Sequence, residues 1–296
     1  MSAGSSIKRR DNIEGYLFIA PAMFGFLAFM VYPIIASVAI SFMDWNIISK
    51  PSWIGFDNYI TLFTDQTFQI SMLNTFKWVI VYIPLSITLS FILALAAELP
   101  LKGIQALRTI FYLPVVSPLL VVALLFVWLY NPEFGLINYV LSFFGIPKIG
   151  WLTNPHLAIF SIAFMTTWKM AGYNMIIFLA GLNGIPRALY EAADLDGIKP
   201  LQKVFYIKLP LITPAMYYVM VMSIIYAFQV FGEIYVMTKG GPGYSTYTMA
   251  FYLYQNAYSF GRMGYGSAMS FVMTLVILAV TILQSTVLGK KVQYDM

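Results

Sequence analysis

Polar and aromatic side chains recur at helical spacing in or beside long apolar segments, where polar groups are costly and are usually functional or paired. Lys169 and Tyr173 are four residues apart and share one face of a helix. Tyr226, Gln229 and Glu233 follow one another at intervals of three and four residues, again on one face. Aromatic rings can stack on apolar faces of a ligand, and amides and hydroxyls can form hydrogen bonds to its polar groups. The candidate substrate-binding residues are Trp168, Lys169, Tyr173, Asn174, Tyr226, Gln229, Glu233 and Ser270.

The same residue types also have a plain structural explanation. Serine and tyrosine in membrane helices commonly make hydrogen bonds between helices. Lys169 can extend toward the interface, pair with an acid such as Glu233, or line a cavity. The sequence leaves these alternatives open.

The composition excludes most catalytic and metal-binding chemistry. The chain has no cysteine and one histidine, so thiolate sites, disulfides and histidine-based metal sites are not expected. The one Gly-Lys pair, Gly289-Lys290, lacks the earlier glycine and the hydroxyl residue of a phosphate-binding P-loop. We therefore predict a non-enzymatic chain without a metal or cofactor of its own. The net charge of +5 is too small to indicate nucleic-acid binding.

Charged residues make up 10% of the 296 residues and hydrophobic residues 60%, whereas about a quarter of an average soluble protein is charged. This excludes an ordinary soluble enzyme and indicates a polytopic protein of the lipid bilayer. The apolar runs are continuous rather than alternating, which predicts an all-α fold instead of a barrel. Six spans are predicted, at Tyr16–Phe42, Phe76–Ala97, Thr109–Tyr130, Leu157–Leu182, Leu211–Phe231 and Gly266–Leu288.

Prolines lie inside the first three of these spans. Pro21 and Pro33 fall in the first, Pro84 in the second and Pro118 in the third. Because proline removes a backbone donor, we expect kinks at these positions.

The placement of lysine and arginine predicts the orientation of the chain. Eleven of the 17 cations fall in the two termini and in the loops after the second and fourth spans. Positive charge is retained on the cytoplasmic side, so both termini and these two loops are predicted to be cytoplasmic.

The loop after the fourth span carries strong helix signals, unlike a simple connector. Pro186 suits the first position of a helix, and good helix formers follow it. Gly197 is suited to end that helix, Pro200 to begin a second one and Pro210 to mark its end. The pattern predicts helix–turn–helix on the cytoplasmic face, with Leu189, Ala192, Ala193 and Leu195 as an apolar stripe.

Two surfaces can receive this amphipathic helix, a lipid leaflet or another protein. Helices that rest on lipid favour cations on their polar face, whereas this one carries Glu191, Asp194 and Asp196. Small alanines permit close approach of a partner, and the acids can meet its basic residues. A protein partner therefore fits the residues better than lipid.

The loop resembles the EAA motif of membrane subunits of type I ABC importers. That motif is Glu-Ala-Ala, a glycine three residues later, and Ile-x-Leu-Pro after nine more; here it reads Glu191-Ala192-Ala193, Gly197 and Ile207-Lys208-Leu209-Pro210. Looser features resemble the carbohydrate-importing branch of the same family, including permeases for maltose, lactose and glycerol phosphate. These features are Tyr16-Leu17-Phe18 with Pro21, Phe42-Met43-Asp44-Trp45, Gly55-Phe56-Asp57-Asn58-Tyr59, and Gly240-Gly241-Pro242 with Thr246.

The resemblance implies a six-span, MetI-like permease fold. It divides the chain into a cytoplasmic tail 1–15, a permease domain 16–288 containing the coupling loop 184–210, and a cytoplasmic tail 289–296. It places the protein, multi-pass, in the plasma (inner) membrane of a bacterium or archaeon.

The resemblance also implies the partners of the chain. They are a second permease subunit, expected to differ in sequence, two ATP-binding subunits that hold ATP and magnesium, a solute-binding protein and a sugar, all at a lipid bilayer. Gly240, Gly241 and Pro242 are expected to contact the binding protein, although a simple flexible turn is an equal alternative. The residues expected to couple to the ATPase are Glu191, Ala192, Ala193, Asp194, Asp196, Gly197, Leu209 and Pro210.

The predicted function is that of a permease subunit of an ATP-driven, binding-protein-dependent sugar importer. One alternative keeps this architecture but imports glycerol phosphate or a sugar acid. Such an anionic cargo would be favoured by a cationic cavity, for which Lys169 is the candidate cation. Another is an ion-coupled secondary transporter, which would need acids or histidines inside its spans.

Overall fold

The computed structural model describes the backbone of residues 3–289 and the side chains of residues 14–287. Fifteen α-helices and one two-stranded sheet make up the described chain, with π-helical turns at Leu27–Val31, Val204–Lys208 and Gln255–Ser259. The α-helices are α1 Ala3–Phe26, α2 Tyr32–Ile40, α3 Asp57–Thr64, α4 Gln66–Glu98, α5 Ile104–Val116, α6 Leu119–Leu129, α7 Leu136–Ser142, α8 Ala158–Asn183, α9 Arg187–Leu195, α10 Pro200–Lys203, α11 Leu209–Leu211, α12 Thr213–Phe228, α13 Gly232–Met237, α14 Met249–Tyr254 and α15 Met263–Leu288. Strands β1 Met43–Asp44 and β2 Ser52–Trp53 pair antiparallel.

The two predicted tails lie at the ends of the chain, and each is described only in part. The N-terminal tail 1–15 falls within α1 from Ala3 onward, and the tail 289–296 lies outside the described residues except for Gly289.

The predicted membrane spans match helices of the structure, with changes at their boundaries. Within the described residues, three continuous stretches are long and apolar enough to cross a bilayer, Glu14–Ile40, Gln66–Glu98 and Met263–Val287. Two further candidates are helix pairs bent sharply at a break, α5 with α6 and the 200–211 segment with α12. The remaining predicted span, the fourth, is α8, and most of its residues are buried.

Two of the predicted spans are not single helices. The third was expected to be one kinked helix, but α5 and α6 meet at 97° across Ser117 and Pro118. Proline has no N–H and disfavours helical geometry in the residue before it. The Ser117-Pro118 step therefore interrupts the helix instead of bending it. The fifth ends at Phe228, and α13 follows as a separate short helix.

The chain divides into two compact units. The first comprises the residues up to Thr64 and Leu253–Val272. In it, the buried Asn58 side chain donates to the carbonyls of Ser41 and Met43 at 2.9 Å each. A carbon added at Gly264 would lie 1.9 Å from the Met43 carbonyl oxygen, so only glycine permits this approach of α15 to β1.

The second unit comprises Asp65–Tyr252 and the residues from Met273 onward. Its centre is α8, which packs against α4, α5 and α12. Asp65 begins α4 by accepting hydrogen bonds from the backbone of Thr67 and Phe68, and its other oxygen accepts the Tyr252 hydroxyl at 2.6 Å. This unit carries most of the candidate functional residues.

Candidate functional site

The helix α9 ends as its sequence predicts. Gly197 has a φ of +69°. Its N–H donates to the backbone carbonyl of Asp194 at 3.2 Å, and the N–H of Ile198 donates to the backbone carbonyl of Ala193 at 2.9 Å. These two bonds form a Schellman motif, which requires a left-handed residue after the helix. Glycine adopts that conformation without steric cost, so Gly197 sets the end and the direction of α9.

The predicted apolar stripe of α9 does not lie on a single buried face. Ala193 is buried within this chain, whereas Glu191 and Ala192 are exposed and Leu195 is 90% exposed. Ala193 therefore seats the helix on its own subunit, and the surface left for a partner consists of Leu195, Ala192 and the neighbouring acids.

The second limb of the loop begins at Pro200, as predicted, but does not end at Pro210. It runs through α10, a π-helical turn and α11, and the chain then bends by 71° into α12. Pro210 is the second residue of α11, one residue before this limb ends at Leu211. Leu209 and Pro210 are both partly buried.

One of the predicted coupling acids is engaged inside the loop. The Asp194 carboxylate accepts a hydrogen bond from the Lys203 ammonium, which joins the two limbs. Asp196 follows α9 as its C-terminal cap residue and is exposed.

A second ion pair fastens the loop to the transmembrane bundle. Lys208 donates to Glu98, the last residue of α4, at 2.6 Å, and both side chains are more than four-fifths buried. The Lys208 ammonium also lies 5.7 Å from the centre of the Tyr190 ring, which belongs to α9. Burial and the nearby Glu98 carboxylate raise the pKa of Tyr190 to about 12. No local sequence pattern indicates this cluster, although Lys208 lies inside the Ile-x-Leu-Pro motif.

A charged cavity of about 650 Å³ opens between this loop and the ends of α4 and α8. The side chains that line it include Glu98, Arg187, Tyr190, Asp194, Lys203 and Lys208. The attachment of α9 to the bundle therefore depends on a few charged contacts as well as on apolar packing.

Three of the predicted substrate residues present surface to the outside of the second unit. Trp168 and Tyr173 on α8 are 39% and 37% exposed, and Gln229 after α12 is exposed. The Trp168 ring also contacts Phe126, with ring centres 5.4 Å apart. These residues can meet a ligand or another subunit.

Other predicted substrate residues are buried and engaged with their own chain. The Asn174 amide donates to the Ser86 hydroxyl at 3.2 Å, and the partly buried Tyr226 donates to the buried Glu233 at 2.5 Å. Tyr82, a turn before Ser86 on α4, lies 5.9 Å from the Tyr226 ring. The sequence signal for these two α4 residues is the presence of polar groups four residues apart in a span.

Lys169 and Ser270 are the two remaining predicted substrate residues. Lys169 is buried and donates to the backbone carbonyls of Pro114, Val115 and Ser117, and within the described residues it forms no ion pair with Glu233. Ser270 belongs to the first compact unit, where it is partly buried.

The segment 238–252, which contains Gly240, Gly241 and Pro242, includes two non-glycine residues with positive φ. Lys239 and Tyr244 have φ values of +51° and +63°, which are unfavourable for residues other than glycine. Gly240 is buried, whereas Tyr244 is 51% exposed. Such a backbone needs support from surrounding contacts.

Those contacts come from the start of α4. The buried Asn74 amide donates to the carbonyls of Tyr244 and Tyr247 at 2.8 and 3.1 Å. The Thr75 hydroxyl accepts the N–H of Met249 at 2.9 Å. Neither α4 residue stood out in the sequence, because their partners are backbone groups about 170 residues away.

Comparison with known proteins identifies the family of the chain. The family model described as "Binding-protein-dependent transport system inner membrane component" matches residues 86–293. The chain belongs to this family.

Relatives match nearly the whole chain. The sulfoquinovosyl glycerol transport system permease protein SmoG of Agrobacterium fabrum is 36% identical and covers 92% of this chain and 89% of its own. The lactose transport system permease protein LacF of Rhizobium radiobacter is 34% identical and covers 95% of each. A chain in the crystal structure of a bacterial ABC transporter involved in the import of the acidic polysaccharide alginate has a TM-score of 0.82, 27% identity, and coverage of 98% and 99%.

These comparisons confirm the predicted family and fold class. The protein is an all-α inner-membrane component of a binding-protein-dependent transport system, with the fold of an ABC importer permease. Its several helices that are long and apolar enough to cross a bilayer agree with a multi-pass membrane location.

The partly buried Glu98–Lys208 pair is expected to contribute more to stability than an exposed pair. In a double-mutant cycle with Glu98→Gln and Lys208→Met, we expect a coupling free energy of about 1–2 kcal/mol. The reason is that each single change leaves the other charged side chain buried without its ion-pair partner. Thermal unfolding of the purified protein measures it.

The exposed Glu133–Lys148 pair provides the matched control, since its side chains are 72% and 60% exposed. A cycle with Glu133→Gln and Lys148→Met should give a coupling below about 0.5 kcal/mol. Equal coupling for the two pairs would contradict the proposed fastening of the loop.

Proposed function

We propose that this chain is one permease subunit of an ATP-driven importer of a carbohydrate, and that it couples through α9 to a separate ATPase. The observation that carries the proposal is the EAA loop, folded as an exposed helix that ends in a Schellman turn at Gly197. The names of the relatives, which include lactose and sulfoquinovosyl glycerol transport proteins, support carbohydrate as the cargo.

The ATPase is proposed to dock on Leu195, Ala192 and Glu191. A leucine that is 90% exposed beside a small residue and an acid suits a partner with an apolar cleft and a basic rim. Because the sequence contains no P-loop, ATP and magnesium are proposed to bind to two separate ATP-binding subunits.

A second permease subunit of different sequence is proposed to complete the translocation path. Trp168, Tyr173 and Gln229 support this, because they place aromatic rings and an amide on the surface of membrane helices. Both termini and the loop 184–210 are proposed to be cytoplasmic, with residues 16–288 as the permease domain, from the distribution of lysine and arginine.

The contacts of Lys169 give no support to an acidic cargo. Its ammonium, the candidate cation for an acidic cargo, already donates to three backbone carbonyls. Ion-coupled transport finds little support, since Glu233 is the one almost fully buried acid among the described residues and accepts a hydrogen bond from Tyr226. Uptake driven in vesicles by an ion gradient without ATP would favour that alternative.

The docking surface on α9 is tested with Leu195→Glu. We expect this change to reduce co-purification of the ATPase and ATP-dependent uptake at least tenfold, because a buried charge opposes an apolar contact by several kcal/mol. Pull-down through the tagged chain measures association.

Ile48→Glu is the matched control, since Ile48 is an apolar residue that is 94% exposed in another loop. It should leave association with the ATPase intact. If Leu195→Glu and Glu191→Ala both retain normal association and uptake, the coupling proposal is wrong.

The segment 238–252 is proposed to contact the solute-binding protein. Asn74→Leu removes two hydrogen bonds to this segment and should weaken binding of that protein about three- to tenfold, since each bond contributes about 1 kcal/mol to holding the strained backbone. Binding to the complex in nanodiscs measures the change in Kd.

Asn138→Leu serves as the comparison, because Asn138 is also a buried amide that holds a loop but bonds to Pro132 and Ile149 instead. It should leave the Kd within twofold. Equal weakening by both variants, or by neither, would remove the support for this contact.

A further inference from the structure

The break between α5 and α6 leaves a backbone problem that the membrane makes severe. Ser117 and Pro118 have ψ values of 136° and 133°, so the chain is extended at the break. The carbonyl of Pro114 would normally accept the N–H four residues later, but that residue is Pro118 and has none. In a bilayer no water replaces the missing donor.

The Lys169 ammonium supplies donors at this break. Its Nζ lies 3.2 Å from the Pro114 oxygen, 3.2 Å from the Val115 oxygen and 2.9 Å from the Ser117 oxygen. An ammonium has three N–H donors, and three carbonyls accept here. The positive charge also lies at the carboxyl end of α5, where the helix dipole favours a cation.

About one turn from the break, α8 and α5 also approach each other closely, for a separate reason. A carbon added at Gly172 would lie 2.2 Å from the carbonyl oxygen of Phe111, so α8 and α5 touch backbone to backbone there. Gly172 and Lys169 are three residues apart and lie on the same side of α8. Together they fasten the end of α5 at two adjacent levels.

We propose that Lys169 is a positioning residue that caps α5 and fixes the angle between α5 and α6. It acts through the backbone of the broken span and does not contact cargo. Its effect on transport rests on the proposed function, whereas its effect on the angle does not.

The angle can be measured directly because the chain contains no cysteine. Leu107→Cys on α5 and Leu125→Cys on α6 are exposed positions, 40% and 47%, that accept spin labels in the purified complex. We expect Lys169→Met to broaden the distance distribution between the labels and to lower the Tm by about 5–10 °C. Lys169→Arg, which keeps several N–H donors and the charge, should retain the original distribution.

A second variant separates capping from other roles of the lysine. Pro118→Ala returns an N–H that can continue the helix and satisfy the Pro114 carbonyl. In the Lys169→Met background it should therefore recover at least half of the lost Tm. No recovery, or an unchanged distance distribution in Lys169→Met, would overturn the proposal.

Uptake by the whole complex distinguishes capping from cargo binding, with lactose as the neutral probe and an alginate oligosaccharide as the acidic one. We expect Lys169→Met to lower the maximal rate about tenfold and to leave the half-saturating concentration within twofold. A raised half-saturating concentration with unchanged Tm and distances would assign Lys169 to cargo instead. If the unaltered complex imports neither probe, the proposed cargo is in doubt, and the distance and Tm results still decide the role of Lys169.

Discussion

Backbone polar groups within a bilayer must find partners inside the protein, and this constraint governs much of the structure. Continuous helices satisfy it by themselves, as in most of α4. Where a helix is interrupted, a side chain must take over, and Lys169 does so at the break before Pro118. An intramembrane charge that resembles a ligand-binding group thus serves the backbone.

The two loops proposed to meet partners are built in different ways. The segment 238–252 is held by Asn74 and Thr75, which bond to its backbone and support two residues with positive φ. The loop 184–210 is held by two ion pairs, Glu98 with Lys208 and Asp194 with Lys203, in addition to its apolar packing. Charged contacts tolerate small displacements better than close packing does, which suits a helix proposed to transmit movement from an ATPase.

The polar groups of the spans fall into two classes once the chain is folded. Asn174, Tyr226 and Glu233 bond to neighbours within the second unit and contribute to its internal packing. Trp168, Tyr173 and Gln229 keep exposed surface. The second class is the better source of contacts with cargo or a second subunit, because its polar atoms and ring faces are accessible.

The sequence by itself determined the features that depend on local pattern. Long apolar runs predicted an all-α membrane protein, and Pro186 with Gly197 predicted α9 and its end, because caps and hydrophobic periodicity act over a few residues. Only the tertiary structure decided the partners of Lys169, the support of Tyr244 by Asn74 and the pairing of Glu98 with Lys208. Each joins residues more than 50 positions apart, and no local pattern specifies which backbone groups a fold leaves in need of a donor.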